Sequence, residues 1–87
     1  MYEIYRTDSF MNDLKDQKKN TQLLNELDKK IQKLKIEPYN IGKHLSGNLK
    51  GKKSVRLARN FRLIFEIDEK GKRVYLEALD NRTHIYR

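Results

Sequence analysis

The sequence predicts an α+β domain in which two N-terminal helices pack on one face of a sheet, in the order β-α-α-β-β-β. Apolar residues recur at spacings of three and four between positions 10 and 34, as on one face of a helix. They alternate in steps of two at about 53–58, 61–68 and 73–80, as in strands. Because two amphipathic helices need one apolar surface to cover, we expect both on the same face of the sheet. We expect residues 1–87 to form a single domain.

The first half of the chain predicts a short strand at Tyr2–Arg6 and then the two helices. Thr7 or Asp8 offers a side-chain oxygen to the free amides of a first helical turn, and Asn20–Thr21 repeats this signal before the second helix. Pro38 predicts that the second helix ends at about Ile36, because the residue before a proline resists the helical region. The apolar stripes of the two helices consist of Phe10, Leu14, Leu23, Leu24, Leu27, Ile31 and Leu34.

The second half predicts a glycine-punctuated loop over residues 39–53 and a turn at 69–72 between the last two strands. The alternation places one apolar set toward the helices: Val55, Leu57, Phe61, Leu63, Phe65 and Ile67. Arg56 and Arg62 then point to the opposite, open face of the sheet. Arg59 falls in the hairpin turn, at the rim of that face. Glu77, on the neighbouring strand, is the ion-pair partner we expect for Arg62.

Positive charge is concentrated in the second half of the chain. The net charge is +8, with eight Lys and Arg against seven Asp and Glu in residues 1–40, and twelve against five in residues 41–87. No acid occurs between Pro38 and Phe65. Such a distribution suits a polyanion such as nucleic acid, although solubility or docking to an acidic protein also fits.

Several classes of chemistry lack their residues. Cysteine is absent, which excludes disulfides and thiolate metal sites and fits a reducing cytoplasm. We see no secretion signal and no apolar run long enough to span a membrane. The two histidines have no clustered carboxylates beside them, so we expect no metal and no cofactor. The segment GNLKGKKS, at 47–54, lacks the spacing of a phosphate-binding loop, and no serine has the context of a nucleophile.

The groups that remain fit metal-free RNA cleavage. Besides the arginines of the open face, the C-terminus carries Arg82, His84 and Tyr86. Arginine can hold a phosphate through two parallel hydrogen bonds, histidine can transfer a proton near neutral pH, and tyrosine can stack on a base. In this chemistry the ribose 2′-hydroxyl attacks its own phosphate, and the protein supplies a base, an acid and a charge stabiliser.

The segment GNLKGKKSVRLARNFRLIFEID and the ending RTHIYR together resemble the RelE/ParE toxin superfamily of toxin–antitoxin modules, most closely its RelE and YoeB branches. The resemblance covers nearly the whole chain and lies in the order and spacing of its segments. It implies a small twisted, mainly antiparallel sheet with two N-terminal helices on one face. It also implies a metal-independent endoribonuclease that cuts messenger RNA, in the A site of the 70S ribosome.

The resemblance further implies partners. A cognate antitoxin protein would neutralise the toxin by wrapping it or by covering its cleft, and the leucine stripe of the second helix could contribute an edge to that contact. We expect a monomer when the toxin is alone and a hetero-oligomer with the antitoxin. The resemblance gives no membrane role. Two alternatives remain open: a ParE-like inhibitor of DNA gyrase, and a non-catalytic basic binding protein of the same fold.

Residue by residue, the resemblance assigns Arg62 to the scissile phosphate, with Arg56 in a similar role. His84 matches a catalytic histidine, and Tyr86 matches a tyrosine that orients the nucleotide. Arg82 matches a further basic residue that binds phosphate. The residues expected to attract RNA more diffusely are Lys50, Lys52, Lys53, Arg59 and His44.

Three positions depart from the family pattern. Ser54 stands where RelE has a lysine, and Asp80 stands where RelE has a basic residue. His44 is the residue nearest to the position of a loop glutamate that acts as the general base in YoeB. The general base is therefore left open: it is His44, His84 or neither.

Overall fold

The computed structural model describes residues 1–81, which form two helices and a five-stranded mixed sheet. The predicted α+β architecture is confirmed, with both helices on one face. Neither helix in this part of the chain has the length and hydrophobicity of a membrane span. The helices and strands are β1 (Glu3–Arg6), α1 (Asp8–Lys15), α2 (Thr21–Leu34), β2 (Lys43–His44), β3 (Lys53–Leu57), β4 (Phe61–Asp68) and β5 (Arg73–Asn81).

The sheet has the strand order β1-β5-β4-β3-β2. β1 and β5 are parallel, and the other three neighbouring pairs are antiparallel. The last strand described is therefore an interior strand, held between the first strand and β4. This arrangement brings the two ends of the described chain together in neighbouring strands. The two edges of the sheet are β1 and β2.

Each helix begins at a residue whose side chain caps it. The Thr7 hydroxyl accepts the Phe10 amide at 3.2 Å, so Thr7 rather than Asp8 is the cap of α1. The Asn20 side chain accepts the Leu23 amide at 3.2 Å and caps α2. α2 ends at Leu34, two residues earlier than predicted, and the Ile36 amide then donates to the Lys33 carbonyl at 3.1 Å in a 3₁₀-type bond.

Apolar side chains of the two helices and the sheet form one core. Val55 and Ile67, which the alternation also placed on this face, are only half-buried because they lie near its margins. Truncation of a fully buried leucine typically costs about 2–5 kcal/mol. The buried cluster comprises Phe10, Leu23, Leu27, Ile31, Leu34, Ile41, Leu57, Phe61, Leu63, Phe65, Val74, Leu76 and Leu79.

Polar side chains of the helices also bond to the backbone of the sheet. β1 pairs with β5 only as far as Leu76, and beyond it the Asp13 carboxylate accepts the Leu79 amide at 2.9 Å. From α2, the Glu26 carboxylate accepts the Ala58 amide at 2.8 Å. Ala58 has a φ of 51°, a left-handed conformation in the β3–β4 turn. The two carboxylates therefore brace the ends of β5 and of the β3–β4 hairpin.

The β4–β5 pairing contains a β-bulge. From the turn, the register runs without a break from Asp68 opposite Arg73 to Phe65 opposite Leu76. Glu77 is then skipped, and Ile64 lies opposite Ala78. One extra residue on β5 moves every later residue of that strand to the other face of the sheet. The bulge therefore turns Leu79 into the core and leaves Asp80 on the open face.

The region predicted as a loop contains a further strand. β2 pairs antiparallel with β3, with Lys43 opposite Ser54, and His44 is a strand residue rather than a loop residue. Gly42, with φ of 76°, precedes this strand. A Cβ atom at Gly42 would lie 2.3 Å from the Ser54 carbonyl oxygen, so only glycine allows the two segments to come so close.

Four side chains join the N-terminus to the β4–β5 turn. The Tyr2 hydroxyl donates to the Glu69 carboxylate, which also pairs with the Lys72 ammonium group. The ammonium nitrogen lies 5.1 Å from the centre of the Tyr2 ring, and the Tyr39 ring packs edge-on against that ring. The hydrogen bonds from Lys72 and then from Tyr2 lower the pKa of Glu69 from 4.5 to about 2.

We predict that Glu69→Gln lowers the stability of the protein at pH 7 and makes it less sensitive to acid. Because the folded state depresses the pKa of Glu69, its contribution is complete above pH 4.5 and disappears as the pH falls toward 2. Denaturant unfolding at pH 7, 4.5 and 3 should therefore show the wild-type protein and Glu69→Gln converging at low pH. Asp28→Asn, which removes an exposed carboxylate without an ion pair in residues 1–81, is the control and should stay parallel to wild type. A constant difference between Glu69→Gln and wild type would contradict the assignment.

Candidate functional site

A row of three charged side chains crosses the open face of the sheet. Arg56 lies directly opposite Arg62 in the β3–β4 pairing, and Arg62 lies directly opposite Asp80 in the β4–β5 pairing. Their neighbours Val55, Leu57 and Leu63 belong to the helix side, so the row faces away from the helices, as predicted for the two arginines. Like charges directly opposite each other destabilise a sheet, so this placement of two arginines has a cost that a bound anion would remove.

An open groove of about 440 Å³ lies beside the two arginines. It is bounded on one side by the short edge strand β2, and three of its lining side chains are cationic. The close approach at Gly42 brings Lys43 next to β3 and so closes this wall. The residues that line it are Gly42, Lys43, Ser54, Val55, Arg56 and Arg62.

Arg62 is paired with Asp80, and not with Glu77 as the sequence predicted. The Nη2 atom of Arg62 donates to Oδ2 of Asp80 at 3.1 Å, and both side chains are about one-third exposed. The β-bulge explains the difference, because it brings Asp80 opposite Arg62. The Nε atom of Arg62 is shielded from solvent and has no hydrogen-bond partner in the described part of the chain. The guanidinium group is therefore only partly satisfied.

Lys52 is engaged in two ion pairs and is not a free cation of the open face. Its Nζ atom lies 3.1 Å from Oε1 of Glu66 and 3.3 Å from Oε2 of Glu77. Burial pulls the pKa of Lys52 down, but the hydrogen bonds that its ammonium group donates to the two glutamates outweigh it and leave the pKa raised. The prediction of diffuse RNA attraction by Lys52 therefore needs correction, because two carboxylates already surround its charge.

Lys53 is buried and faces the helix side of the sheet. Its side chain is only 3% exposed, and its Nζ atom donates to the carbonyls of Pro38 at 3.3 Å and Tyr39 at 2.8 Å. The ammonium nitrogen also lies 5.9 Å from the centre of the Phe65 ring. Burial lowers the pKa of Lys53. The prediction that Lys53 contributes to an RNA-attracting surface is wrong, because its charge lies beneath the 38–40 turn.

The remaining predicted RNA-binding residues lie around the groove edge. Lys50 and His44 are exposed on the β2 side, and Arg59 is exposed in the β3–β4 turn, as expected. Within residues 1–81, Lys50, Arg56 and Arg59 make no ion pair. Within the acid-free segment between Pro38 and Phe65, the cations without an ion pair therefore lie along the β2–β3 edge and in the β3–β4 turn.

Sequence reasoning did not select Lys43 for the site. Lys43 lines the groove because β2 pairs with β3, and a two-residue strand leaves almost no periodic signal in the sequence. Ser54, noted only as a departure from the family pattern, lines the same groove. Within residues 1–81, no group of three metal-ligating side chains comes together. The predicted catalytic residues Arg82, His84 and Tyr86 lie outside the described residues.

Solved structures with the same fold include toxins of toxin–antitoxin systems. The RelBE2 toxin–antitoxin complex of Mycobacterium tuberculosis contains a chain that is 27% identical, with a TM-score of 0.77, over 93% of this chain and 98% of that chain. A metal-bound toxin of Helicobacter pylori is 26% identical, with a TM-score of 0.80, over 99% and 100% of the two chains. A YoeB/ParE toxin of Agrobacterium tumefaciens, 19% identical over 91% and 96%, has a TM-score of 0.80 and shares the fold. No family model and no curated protein matches the sequence.

We predict that Lys53→Ala destabilises the protein by about 1–3 kcal/mol, because it leaves two carbonyl groups without their donor. Lys50→Ala, on an exposed residue of the same segment, should change the unfolding free energy by less than about 0.5 kcal/mol. Urea denaturation of both variants measures the difference. Equal stability of the two variants would show that the buried ammonium group contributes nothing to the fold.

Proposed function

We propose that this chain, which belongs to the RelE/ParE toxin superfamily, is the toxin of a type II toxin–antitoxin module and a metal-independent endoribonuclease. Its substrate in this proposal is messenger RNA in the A site of the ribosome. The observation that carries the proposal is the juxtaposition of Arg56 and Arg62 beside a cationic groove on the open face. Two adjacent arginines can bind the non-bridging oxygens of one phosphodiester.

The proposed reaction is attack by a ribose 2′-hydroxyl on the adjacent phosphorus atom. A base removes the hydroxyl proton, the oxygen–phosphorus bond forms, and the bond to the 5′ oxygen breaks. The leaving oxygen takes a proton from an acid, and the products are a 2′,3′-cyclic phosphate and a free 5′ hydroxyl. Negative charge accumulates on the phosphate oxygens in the transition state, where Arg62 and Arg56 would stabilise it.

The proton-transfer groups of the proposal come from the tail and from the groove edge. His84 is the preferred acid or base, and Tyr86 and Arg82 orient the nucleotide and its phosphate, by resemblance to the family. His44 is the other candidate base, since β2 holds it at the edge of the sheet near the groove. Each of these roles is a prediction from the sequence.

The proposed partner is an acidic antitoxin with an amphipathic segment. An apolar groove between α1 and α2, of about 480 Å³, is lined by Met11, Leu14 and Leu24 and rimmed by Lys15 and Lys18. An apolar stripe flanked by acids would complement it in shape and charge. The toxin–antitoxin complex of Mycobacterium tuberculosis supports a cognate antitoxin as the partner.

We predict that expression of the protein arrests bacterial growth and that Arg62→Ala abolishes the arrest. Loss of one stabiliser of developing charge typically costs about 10²–10³-fold in rate. Primer extension on a translated messenger RNA should show cuts with wild type and none with Arg62→Ala. Arg6→Ala, which removes the same charge from an exposed residue of β1, is the control and should still arrest growth.

The same experiment separates the alternative functions. Growth arrest with intact messenger RNA and altered DNA supercoiling would replace the ribonuclease proposal by gyrase inhibition. Cleavage of ribosome-free transcripts at equal rates would remove the ribosome from the proposal. No growth effect in several hosts would favour a non-catalytic binding protein.

We predict that the affinity for single-stranded RNA falls about 20-fold between 50 and 200 mM salt. Three groove cations, Lys43, Arg56 and Arg62, are available for phosphate contacts, and each adds about 0.7 to the logarithmic salt slope. Lys43→Gln should reduce the loss to about sevenfold, whereas Lys29→Gln, on the exposed side of α2, should leave it unchanged. Fluorescence anisotropy with an uncleavable 2′-O-methyl oligonucleotide measures both. A flat response would exclude the groove as the RNA site.

A further inference from the structure

The contact between Arg62 and Asp80 uses only part of what each group offers. Arginine and a carboxylate commonly form two parallel hydrogen bonds, but here only the Nη2–Oδ2 bond, at 3.1 Å, is made. The Nε atom of Arg62 is shielded from solvent and has no acceptor among residues 1–81. A second acceptor oxygen near the guanidinium group would therefore satisfy a donor that Asp80 leaves unsatisfied.

The other neighbour of Arg62 has no such partner. Arg56 lies directly across from Arg62, is exposed, and makes no ion pair within residues 1–81. Both arginines line the groove, whereas Asp80 does not. A phosphate in the groove could thus reach both arginines from the side opposite Asp80. Because its oxygens are negative, it would be repelled by the nearby Asp80 carboxylate.

The Asp80 carboxylate is therefore one anion beside Arg62, and a second anion can bind between Arg62 and Arg56. The row Arg56–Arg62–Asp80 carries two positive charges and one negative charge, so an arriving phosphodiester restores neutrality without excess. A phosphate that contacts Arg62 alone exchanges one anion for another and gains little. A phosphate that also contacts Arg56 gains an additional charged partner.

We propose that Asp80 occupies Arg62 in the free protein and gives it up to the RNA phosphate, so that it sets the affinity and rejects anions that cannot reach Arg56. This inference rests on the proposed function, because it takes the phosphodiester of single-stranded RNA as the ligand. Asp80 is a competitor of the substrate here. It differs in this from a purely structural cross-strand ion pair, whose loss would weaken the fold and with it RNA binding.

The test measures binding of the uncleavable 2′-O-methyl oligonucleotide at 50 mM salt by fluorescence anisotropy. Asp80→Asn should bind about tenfold more tightly, the factor for one unit charge at roughly 6 Å and an effective dielectric constant of about 40. Glu77→Gln is the matched control, since it removes the same charge from the same strand but from a residue paired with Lys52. It should change the affinity less than about twofold. In an Arg62→Gln background, where the phosphate and Asp80 no longer compete for one guanidinium group, Asp80→Asn should give a smaller gain than in wild type.

The binding results for the two variants decide whether Asp80 competes with the RNA phosphate. Unchanged or weaker binding by Asp80→Asn, with an unchanged melting temperature, would overturn the inference. An equal gain in Glu77→Gln would also overturn it, because the gain would then come from net charge alone. Tighter binding cannot come from a damaged fold, so the expected sign itself separates competition from a structural role.

A second measurement keeps the inference separate from the proposed function. If wild type binds no RNA, the proposed function fails, and titration with inorganic pyrophosphate then tests the exchange by the NMR signal of the Arg62 Nε–H group. The expected result is a shift of that signal in wild type and the same shift at about tenfold lower pyrophosphate in Asp80→Asn. No shift in either protein would overturn the inference as well.

Discussion

Strand β5 is the element on which the rest of the structure depends. It is parallel to β1 on one side and antiparallel to β4 on the other, so it joins the N-terminal strand to the β-hairpins. Where β1 ends, the side chains of Thr7 and Asp13 continue to bond its backbone at Leu76 and Leu79. Helix α1 is thereby fixed to the strand that carries Asp80. Both faces of the sheet are set by how this strand is placed.

The β-bulge at Glu77 determines which acidic side chain of β5 pairs with Arg62. Leu76 and Leu79 of β5 both lie in the core, although they are three residues apart. Strict alternation cannot do this, and one extra residue can. The same extra residue brings Asp80 opposite Arg62 and sends Glu77 to Lys52. Packing of the core thus decides which acid meets the arginine of the candidate site.

The run of cations without acids also divides according to position. Lys53 bonds two carbonyls under the 38–40 turn, and Lys52 is held between two glutamates. Lys43, Lys50 and Arg56 stay free among the described residues and concentrate the positive field at the β2–β3 edge. A charge that lies in a polyanion-like run of sequence can therefore be structural, since consecutive strand residues face opposite sides of the sheet.

The sequence by itself determined the two capped helices, the three later strands and the open-face position of Arg56 and Arg62, because these follow from local spacing and capping. It also pointed to the toxin superfamily through the order of its segments. Only the tertiary structure decided the parallel β1–β5 pairing, the short strand that brings Lys43 to the groove, and the Asp80 partner of Arg62. These features arise from contacts between residues far apart in the chain, and the one-residue bulge in the β4–β5 pairing sets the register that brings Asp80 to Arg62.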